Sequence, residues 1–411
     1  MRKDLFSLGN IHLSDFLEKN EDSQKKEKFE LKLVLDTDTG LVRLSETVNP
    51  TLMYGKYWYR SGINSSMKKD LLDVVHSVGA VKQLLPDEVW LDIACNDGTL
   101  LSHVGDLYPH IKRLGIDPAD DSYVSESEKH ADQIIQDYFS LKTYNASKFC
   151  DKKVNVVTTI AMFYDLDDPV SFISDVRKII DENGVWVVQM SYTPLMLSQL
   201  AFDNICHEHV YYYSLFNFKR LLEENGFRVV DVQLNTVNGG SFRVFAVPSV
   251  ANETTFANQP YRDVADFRIR AFLAKEKEMC LDSIDTWMQF YDQIKQLRDQ
   301  TLSFIKKAKS EGKTIWGYGA STKGNTLLQY FGLDNTTITA IAERSPYKYG
   351  LKTVGTNIPI LSEKEMRIAK PDYILILPWH FIGEFIEREK DYLSSGGKFI
   401  VPCPKFQVIS K

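Results

Sequence analysis

What this chain lacks narrows what it can be. Its five cysteines (Cys95, Cys150, Cys206, Cys280 and Cys403) are odd in number and widely scattered, with no CxxC pair. That pattern argues against a disulfide framework and for a reducing compartment, so a cytoplasmic setting is expected. No apolar run reaches the ~20 residues that a membrane-spanning helix needs. The segment Met1–Asn10 has no apolar core of the kind a signal peptide carries, so none is expected. A basic excess is also missing. The chain has 49 Lys and Arg against 55 Asp and Glu, a formal net charge of −6. With no surplus of cations to neutralise a phosphate backbone, nucleic acid is not an expected partner.

What is present is ordinary for a soluble globular protein: 44% hydrophobic and 25% charged residues over 411 positions. That length fits two or three domains rather than one core. Residues 1–65 read as a small, partly β module, with Lys32–Leu35 and Leu41–Leu44 as a hairpin around the turn at Asp36–Gly40. An aromatic patch follows at Tyr54, Tyr57, Trp58 and Tyr59, of the kind that packs a domain junction or lines a pocket. Residues 66–250 alternate strand and helix signals, which predicts an α/β domain with a mostly parallel sheet. Strands are expected at Val89–Ala94, Arg113–Asp117, Val154–Ile160 and Gly184–Met190, then a closing antiparallel pair at Phe227–Val232 and Ser241–Val247. Residues 251–310 predict one long amphipathic helix joining two domains, with Trp287, Tyr291, Ile294, Leu297 and Ile305 at helical spacing. Residues 311–411 form a second α/β unit, with strands at Thr314–Tyr318, Thr337–Ala342, Tyr373–Leu377 and Lys398–Val401.

Two strand-to-helix turns and one histidine block carry the chemistry. In the turn Asp92-Ile93-Ala94-Cys95-Asn96-Asp97-Gly98-Thr99-Leu100 only one glycine is present, and Asp92 sits at the strand end. A carboxylate there departs from phosphate binding and suits a ligand with positive charge. Asp117, about twenty residues further on, stands where a carboxylate can accept both hydroxyls of a ribose. Together, Asp92, Gly98 and Asp117 match the pattern of class I S-adenosylmethionine methyltransferases. On that likeness the cofactor site comprises Asp92, Ala94, Asn96, Gly98, Leu100, Asp117 and Pro118, with Asp137, Tyr138 and Phe139 at the adenine. The second turn, Gly317–Asn325, is nearer to a phosphate cradle: backbone amides, Ser321 and Lys323 meet at a helix start. The block Asn204-Ile205-Cys206-His207-Glu208-His209, followed by Tyr211, Tyr212 and Tyr213, supplies imidazoles, whose pKa lies nearest neutrality.

Taken together, Asp92–Leu101, Phe202–His209 and Trp316–Leu333 resemble the S-adenosylmethionine-dependent C-methyltransferases that act on nucleotide-linked 4-keto-deoxysugars. Supporting segments are Tyr57–Met67, Met162–Pro169, Asn238–Arg243 and Leu375–Trp379, in family order across nearly the whole chain. The resemblance implies a small N-terminal zinc module, a central class I methyltransferase domain of Rossmann-like fold, and a C-terminal Rossmann-like domain that helps hold the nucleotide-sugar. One part departs: Asp36 and Thr39 stand where that family has a cysteine pair, and the first forty residues contain no cysteine. No structural zinc is therefore expected, since a tetrahedral site needs four soft or imidazole ligands. A second departure is Cys206, where some relatives have tyrosine.

The expected chemistry is proton removal beside a ketone, then methylation of the carbanion equivalent. His209 is the expected base, with Glu208 orienting it or gripping the sugar. His207, Tyr59 or Tyr212 would donate to the enolate oxygen. Asn238, Ser241 and Arg243 are expected in the substrate wall. Gly319, Ser321, Lys323, Asn325, Glu343 and Trp379 are expected to hold the nucleotide part, with Ser321, Lys323 and Asn325 on the diphosphate. Two rival readings remain open: methylation of a hydroxyl or amine, and a nicotinamide-dependent oxidoreductase in which Glu343 meets a ribose. His207 and His209 share a strand face but lack a third ligand, so no metal is expected. The oligomeric state stays open, a monomer being compatible with the sequence.

Overall fold

The strand Val89–Ile93 is buried along its whole length. Its sequence, Val-Trp-Leu-Asp-Ile, shows the near-continuous apolar run of a strand covered on both faces rather than the alternation of a half-exposed one. The computed structural model describes residues 1–54, 58–252 and 258–411; the side chains of Gln24, Tyr54 and Asn238 lie outside that description, as does all of Tyr57. Val89–Ile93 lies inside a seven-stranded sheet, next to its central strand Val154–Ile160. Parallel neighbours are Lys112–Ile116 and Val154–Ile160. Beyond these lie Gln133–Ile135 on one side and Ile180–Ser191 on the other. Phe227–Asn235 and Ser241–Pro248 close the sheet as an antiparallel pair, as expected, with Ser241–Pro248 antiparallel to Ile180–Ser191. Strand order therefore reverses beside Val89–Ile93, the place where open α/β sheets bind ligands beyond their strand ends.

This sheet belongs to a unit formed by Asn49–Tyr192 and Val210–Cys280. Its helix Ser65–Val81 buries Met67, Leu71, Val74, Val75, Val78 and Val81 at intervals of three and four residues. That is the stripe a surface helix turns to its core.

The other unit comprises Met1–Val48, Thr193–His209 and Leu281–Lys411. Its main sheet has six strands in the order Ile360–Ser362, Ile341–Glu343, Ile315–Tyr318, Tyr373–Ile376, Lys398–Val401, Gln407–Ile409. All pair in parallel except the last. The expected N-terminal hairpin is present, with Leu35 opposite Val42 and Asp36 opposite Leu41. A strand not expected from sequence, Arg2–His12, lies antiparallel to Lys28–Asp36. The N-terminal segment is tied to the helix Thr322–Phe331: the amide side chain of Gln329 accepts from His12 N at 2.8 Å and donates to His12 O at 3.2 Å. Phe202, fully buried, stacks on Phe331 at 5.4 Å and anchors residues 193–209 in the same unit.

The long helix expected across 251–310 is two helices, Gln259–Met279 and Ile284–Ser310. Cys280 ends the first in the left-handed region at φ 49°. Apolar spacing continues on both sides of that break, so periodicity alone runs the two together. Neither helix, among the described residues, is long and apolar enough to cross a membrane.

Candidate active site

In the first unit, the carboxyl ends of adjacent parallel strands surround a cavity of about 360 Å³. Asp92 closes Val89–Ile93, Asp117 and Pro118 follow Lys112–Ile116, Tyr138 and Phe139 follow Gln133–Ile135, and Met162 follows Val154–Ile160; all line the cavity. Ala94, Asn96 and Leu100 line it as well. Of the expected cofactor residues, Gly98 and Asp137 do not.

The turn after Asp92 explains its sparse glycine. Ala94, Asn96 and Gly98 all have positive φ, at 60°, 52° and 76°. Two non-glycine residues thus accept left-handed conformations that cost about 1–2 kcal/mol each for an L-residue with a Cβ, the kind of local strain that gathers at ligand sites. Gly98 is required for a different reason than ligand approach. A Cβ there would lie 2.7 Å from the main chain of Ser127, so the glycine serves packing. Asp137 is held locally, accepting from Tyr138 N at 2.7 Å.

Asp92 is braced from the neighbouring strand. Thr158 donates its hydroxyl hydrogen to Asp92 Oδ1 at 2.6 Å, and Trp90 Nε1 donates to the same Thr158 oxygen at 3.1 Å. Burial pushes the Asp92 pKa up to about 7, partly offset by the Thr158 hydrogen bond and reinforced by the nearby Asp117. Asp117 accepts from Asn96 N at 2.7 Å and Ala119 N at 2.8 Å, which orients its carboxylate at the cavity wall. Burial raises its pKa too.

Segment 59–62 is stitched to the same turn. Asn96 accepts from Ser61 N and donates to Tyr59 O, and Asp97 accepts from Gly62 N at 2.8 Å. Tyr59 is thereby brought to the cavity wall, together with Ser61. Apolar lining comes from Met67, Leu71, Ile160, Met162, Leu166 and Phe172. Met67, Met162 and Leu166 fall within the supporting segments Tyr57–Met67 and Met162–Pro169 without having been singled out, and Leu71, Ile160 and Phe172 were missed because they come from separate elements.

These residues fit S-adenosylmethionine. Asp92 and Asp117 would meet its cationic group and its pair of ribose hydroxyls, while Tyr138, Phe139 and Leu166 would offer the flat apolar contact an adenine needs. Phe139 packs edge-on against Phe172 at 5.1 Å.

The second unit carries the histidine block. His209 is buried and its Nδ1 lies 2.7 Å from the carbonyl oxygen of Asn204. Only an N–H can make that contact, so the neutral ring has its lone pair on Nε2. The group orienting His209 is thus a main-chain carbonyl, not Glu208 as expected from sequence. Burial, with a contribution from the Lys323 charge, lowers the His209 pKa to about 3. His207 directs Nε2 at Phe29 O (3.2 Å), and burial lowers its pKa to about 4. Both rings are neutral at physiological pH. Glu208 is shifted the other way, up to about 7, by burial. Among the described residues no three histidine, cysteine or carboxylate side chains converge as a metal site would require. Asp36 and Thr39 are turn residues of the N-terminal hairpin, each accepting a backbone N–H.

Lys323, expected on a diphosphate, meets side chains of its own unit. Its ammonium donates to Asn204 Oδ1 at 2.5 Å, with the charges of Asp203, Glu208 and Cys206 bearing on it. Trp379 is in the same cluster, donating Nε1 to Asp203 Oδ2 at 3.1 Å. Ser321 caps the helix Thr322–Phe331 by accepting from Gly324 N, and Asn325 donates to Asp15 O. Gly319, at φ 81°, has no room for a Cβ, which would lie 2.6 Å from Pro378. Glu343 accepts from Ala320 N, Arg344 N and Ser345 N, and Lys348 donates to Ala320 O. The second glycine turn is thus clamped by its own unit. Three of the acceptor positions of Glu343 hold backbone amides.

The first unit also relocates part of the expected substrate wall. Arg243, 1% exposed, donates to Gln189, Asp70, Asp73 and Ser77. It fastens Ser65–Val81 to the sheet and does not line the cavity. Ser241 donates to Val237 O. Tyr212 is buried in this unit; the Asn238 side chain lies outside the described residues.

Two family models match successive parts of the chain. Residues 63–232 match the family described as a methyltransferase domain, and residues 236–404 match the C-methyltransferase C-terminal domain. C-methyltransferase NovU of Streptomyces niveus is 28% identical over 408 residues, covering 99% of this chain and 94% of that protein. Among solved structures, magnesium protoporphyrin IX methyltransferase (ChlM) from Synechocystis PCC 6803 with bound SAH shares 16% identity over 48% of this chain and 91% of that one, at TM-score 0.36. An S-adenosylmethionine-dependent methyltransferase from Clostridium acetobutylicum shares 13% identity over 44% and 91% of the two chains, at TM-score 0.33.

Proposed function

We propose that this S-adenosylmethionine-dependent methyltransferase methylates a carbon beside the ketone of a nucleotide-linked 4-keto-deoxysugar, through an enolate. The observation that carries the reading is the held imidazole of His209. Its Nδ1–H is fixed on Asn204 O, which aims a neutral Nε2 lone pair as a base would require. Bound S-adenosylmethionine supplies the electrophilic methyl of a sulfonium. Asp92 and Asp117 orient that cofactor through charge and hydrogen bonding, and positioning of the two reactants lowers the barrier.

Glu208, whose pKa near 7 keeps both protonation states available, grips the sugar hydroxyls in this reading. The C-terminal region 311–411 holds the nucleotide portion. The cytoplasm is the natural compartment, given five free thiols. The test is mass spectrometry of a panel of nucleotide-linked 4-keto-sugars incubated with S-adenosylmethionine, with deuterium uptake followed in parallel. A product 14 mass units heavier whose new methyl lies on carbon is the expected result. Methylation confined to oxygen or nitrogen, with no deuterium entering the sugar ring, would overturn the reading.

A further inference from the structure

We propose that Tyr59–Ile63 is a strap that opens to exchange the cofactor and closes over it, with Arg60 as the positioning residue that latches it shut. The strap acts on the cofactor, whatever the methyl acceptor is. Most of the cavity wall comes from strand ends and from helices that turn a buried face inward. Tyr59 and Ser61 line it from a different kind of segment, in which every residue from Trp58 to Asn64 is only half-buried. The 3-10 turn Ser61–Ile63 has no fully buried residue. A segment with so little apolar burial opens at a small fraction of the cost of unfolding the sheet behind it. It is the part of the wall that can yield.

Hydrogen bonds tie the strap to the two turns that carry the cofactor carboxylates. After Val89–Ile93, Asn96 uses both polar side-chain atoms, accepting from Ser61 N at 3.0 Å and donating to Tyr59 O at 2.9 Å. Asp97 accepts from Gly62 N at 2.8 Å. After Lys112–Ile116, Ser122 Oγ accepts from Arg60 Nη2 at 2.5 Å, and the Arg60 guanidinium lies 3.9 Å from the ring centre of Tyr123. Arg60 is not among the residues lining the cavity, so these contacts bear on the strap and not on the cofactor. Gly62 sets how closely the strap approaches. A Cβ there would lie 3.1 Å from both Asp97 Oδ2 and Thr99 Oγ1. Tyr59 packs against the core cluster containing Met67, Leu71 and Leu100, which line the same cavity.

Asn96 joins the strap to the ligand. Its side chain holds Ser61 and Tyr59, while its main-chain N–H donates to Asp117 Oδ2 at 2.7 Å. A ribose on Asp117 therefore steadies the same turn that grips the strap, and bound cofactor favours the closed form. Reciprocally, any change that favours the open form must weaken retention of the cofactor.

The experiment follows release of tritiated S-adenosylhomocysteine from the full chain into excess unlabelled ligand, together with amide hydrogen exchange over residues 59–63. In the wild type, bound S-adenosylhomocysteine should slow exchange at Ser61 N and Gly62 N by roughly tenfold or more. Arg60→Met should speed release by roughly three- to tenfold, the loss expected for one hydrogen bond from a charged group, with association no slower. Gly62→Ala lifts the strap from Asp97 by a separate route. It should act in the same direction, and it serves if the arginine variant folds poorly. A merely structural role for these residues would lower the urea midpoint and leave release at the wild-type rate, which would overturn the proposal. Slower association with unchanged release in Arg60→Met would also overturn it, since Arg60 would then steer the ligand rather than latch the strap. Exchange at Ser61 and Gly62 that S-adenosylhomocysteine leaves unchanged in the wild type would do the same.

Discussion

Replacing Thr158 by valine removes one hydroxyl and almost no volume, so its consequence can be worked from the hydrogen bonds it makes. The hydroxyl reaches Asp92 Oδ1 at 2.6 Å and accepts from Trp90 Nε1 at 3.1 Å. A hydrogen bond to a charged acceptor contributes about 1.5–3 kcal/mol, and 1.36 kcal/mol corresponds to one pKa unit. Losing it should raise the Asp92 pKa, already near 7 through burial, by roughly one to two further units. An anionic Asp92 favours a cationic cofactor, so S-adenosylmethionine should bind more tightly as pH rises through the Asp92 pKa. In Thr158→Val that rise should shift to more alkaline pH, and affinity at pH 7 should fall by about 5–50-fold. The sign for stability runs the other way. With its folded pKa raised, Asp92 contributes stability that is whole below about pH 4 and is lost as pH climbs to about 7. Calorimetric titration with S-adenosylmethionine between pH 6 and 9 is the assay, with Thr158→Ser as the control that keeps the hydroxyl. An identical pH midpoint in the wild type and Thr158→Val would refute the reasoning.

Asp117→Ala removes an acceptor lining the cavity and should weaken S-adenosylhomocysteine binding by about 10–100-fold by calorimetry. Equal affinity would remove Asp117 from the site. His209→Asn should keep cofactor binding while turnover drops by roughly 10²–10⁴, and normal deuterium exchange in that variant would exclude it as the base. Two turn substitutions should move stability in opposite directions in urea unfolding. Ala94→Gly relieves a left-handed alanine and should be neutral or stabilising by up to ~1 kcal/mol, whereas Gly98→Ala drives a Cβ into Ser127 and should destabilise. Arg243→Leu should cost stability, by about 3–5 kcal/mol, because it leaves buried Asp70 without its ion partner. Lost activity with unchanged stability would return Arg243 to the substrate wall.

Periodicity and motif were enough to read the α/β class, the strand Val154–Ile160 residue for residue, and the Asp92 and Asp117 positions. Strands buried on both faces write continuous apolar runs, and a ligand turn needs particular residues at particular spacings, so both leave a local record. The sequence also carried the His-Glu-His block and pointed to His209 as the base, although what held each ring was not legible there. Tautomers depend on what each nitrogen meets: Asn204 O for His209, five residues away, and Phe29 O for His207, far off in the chain. Lys323 read as a phosphate ligand because a lysine at a helix start usually is one. Only the packing of Phe202 on Phe331 brings Asn204 and Asp203 to that lysine. Arg243 read as a site residue because it lies in a motif, yet Asp70, Asp73 and Gln189 claim its guanidinium. The helix break at Cys280 was hidden because apolar spacing continues on both sides of it. Local pattern records which face a residue turns inward, whereas hydrogen-bond partners and unit membership depend on residues distant in the chain that folding brings together.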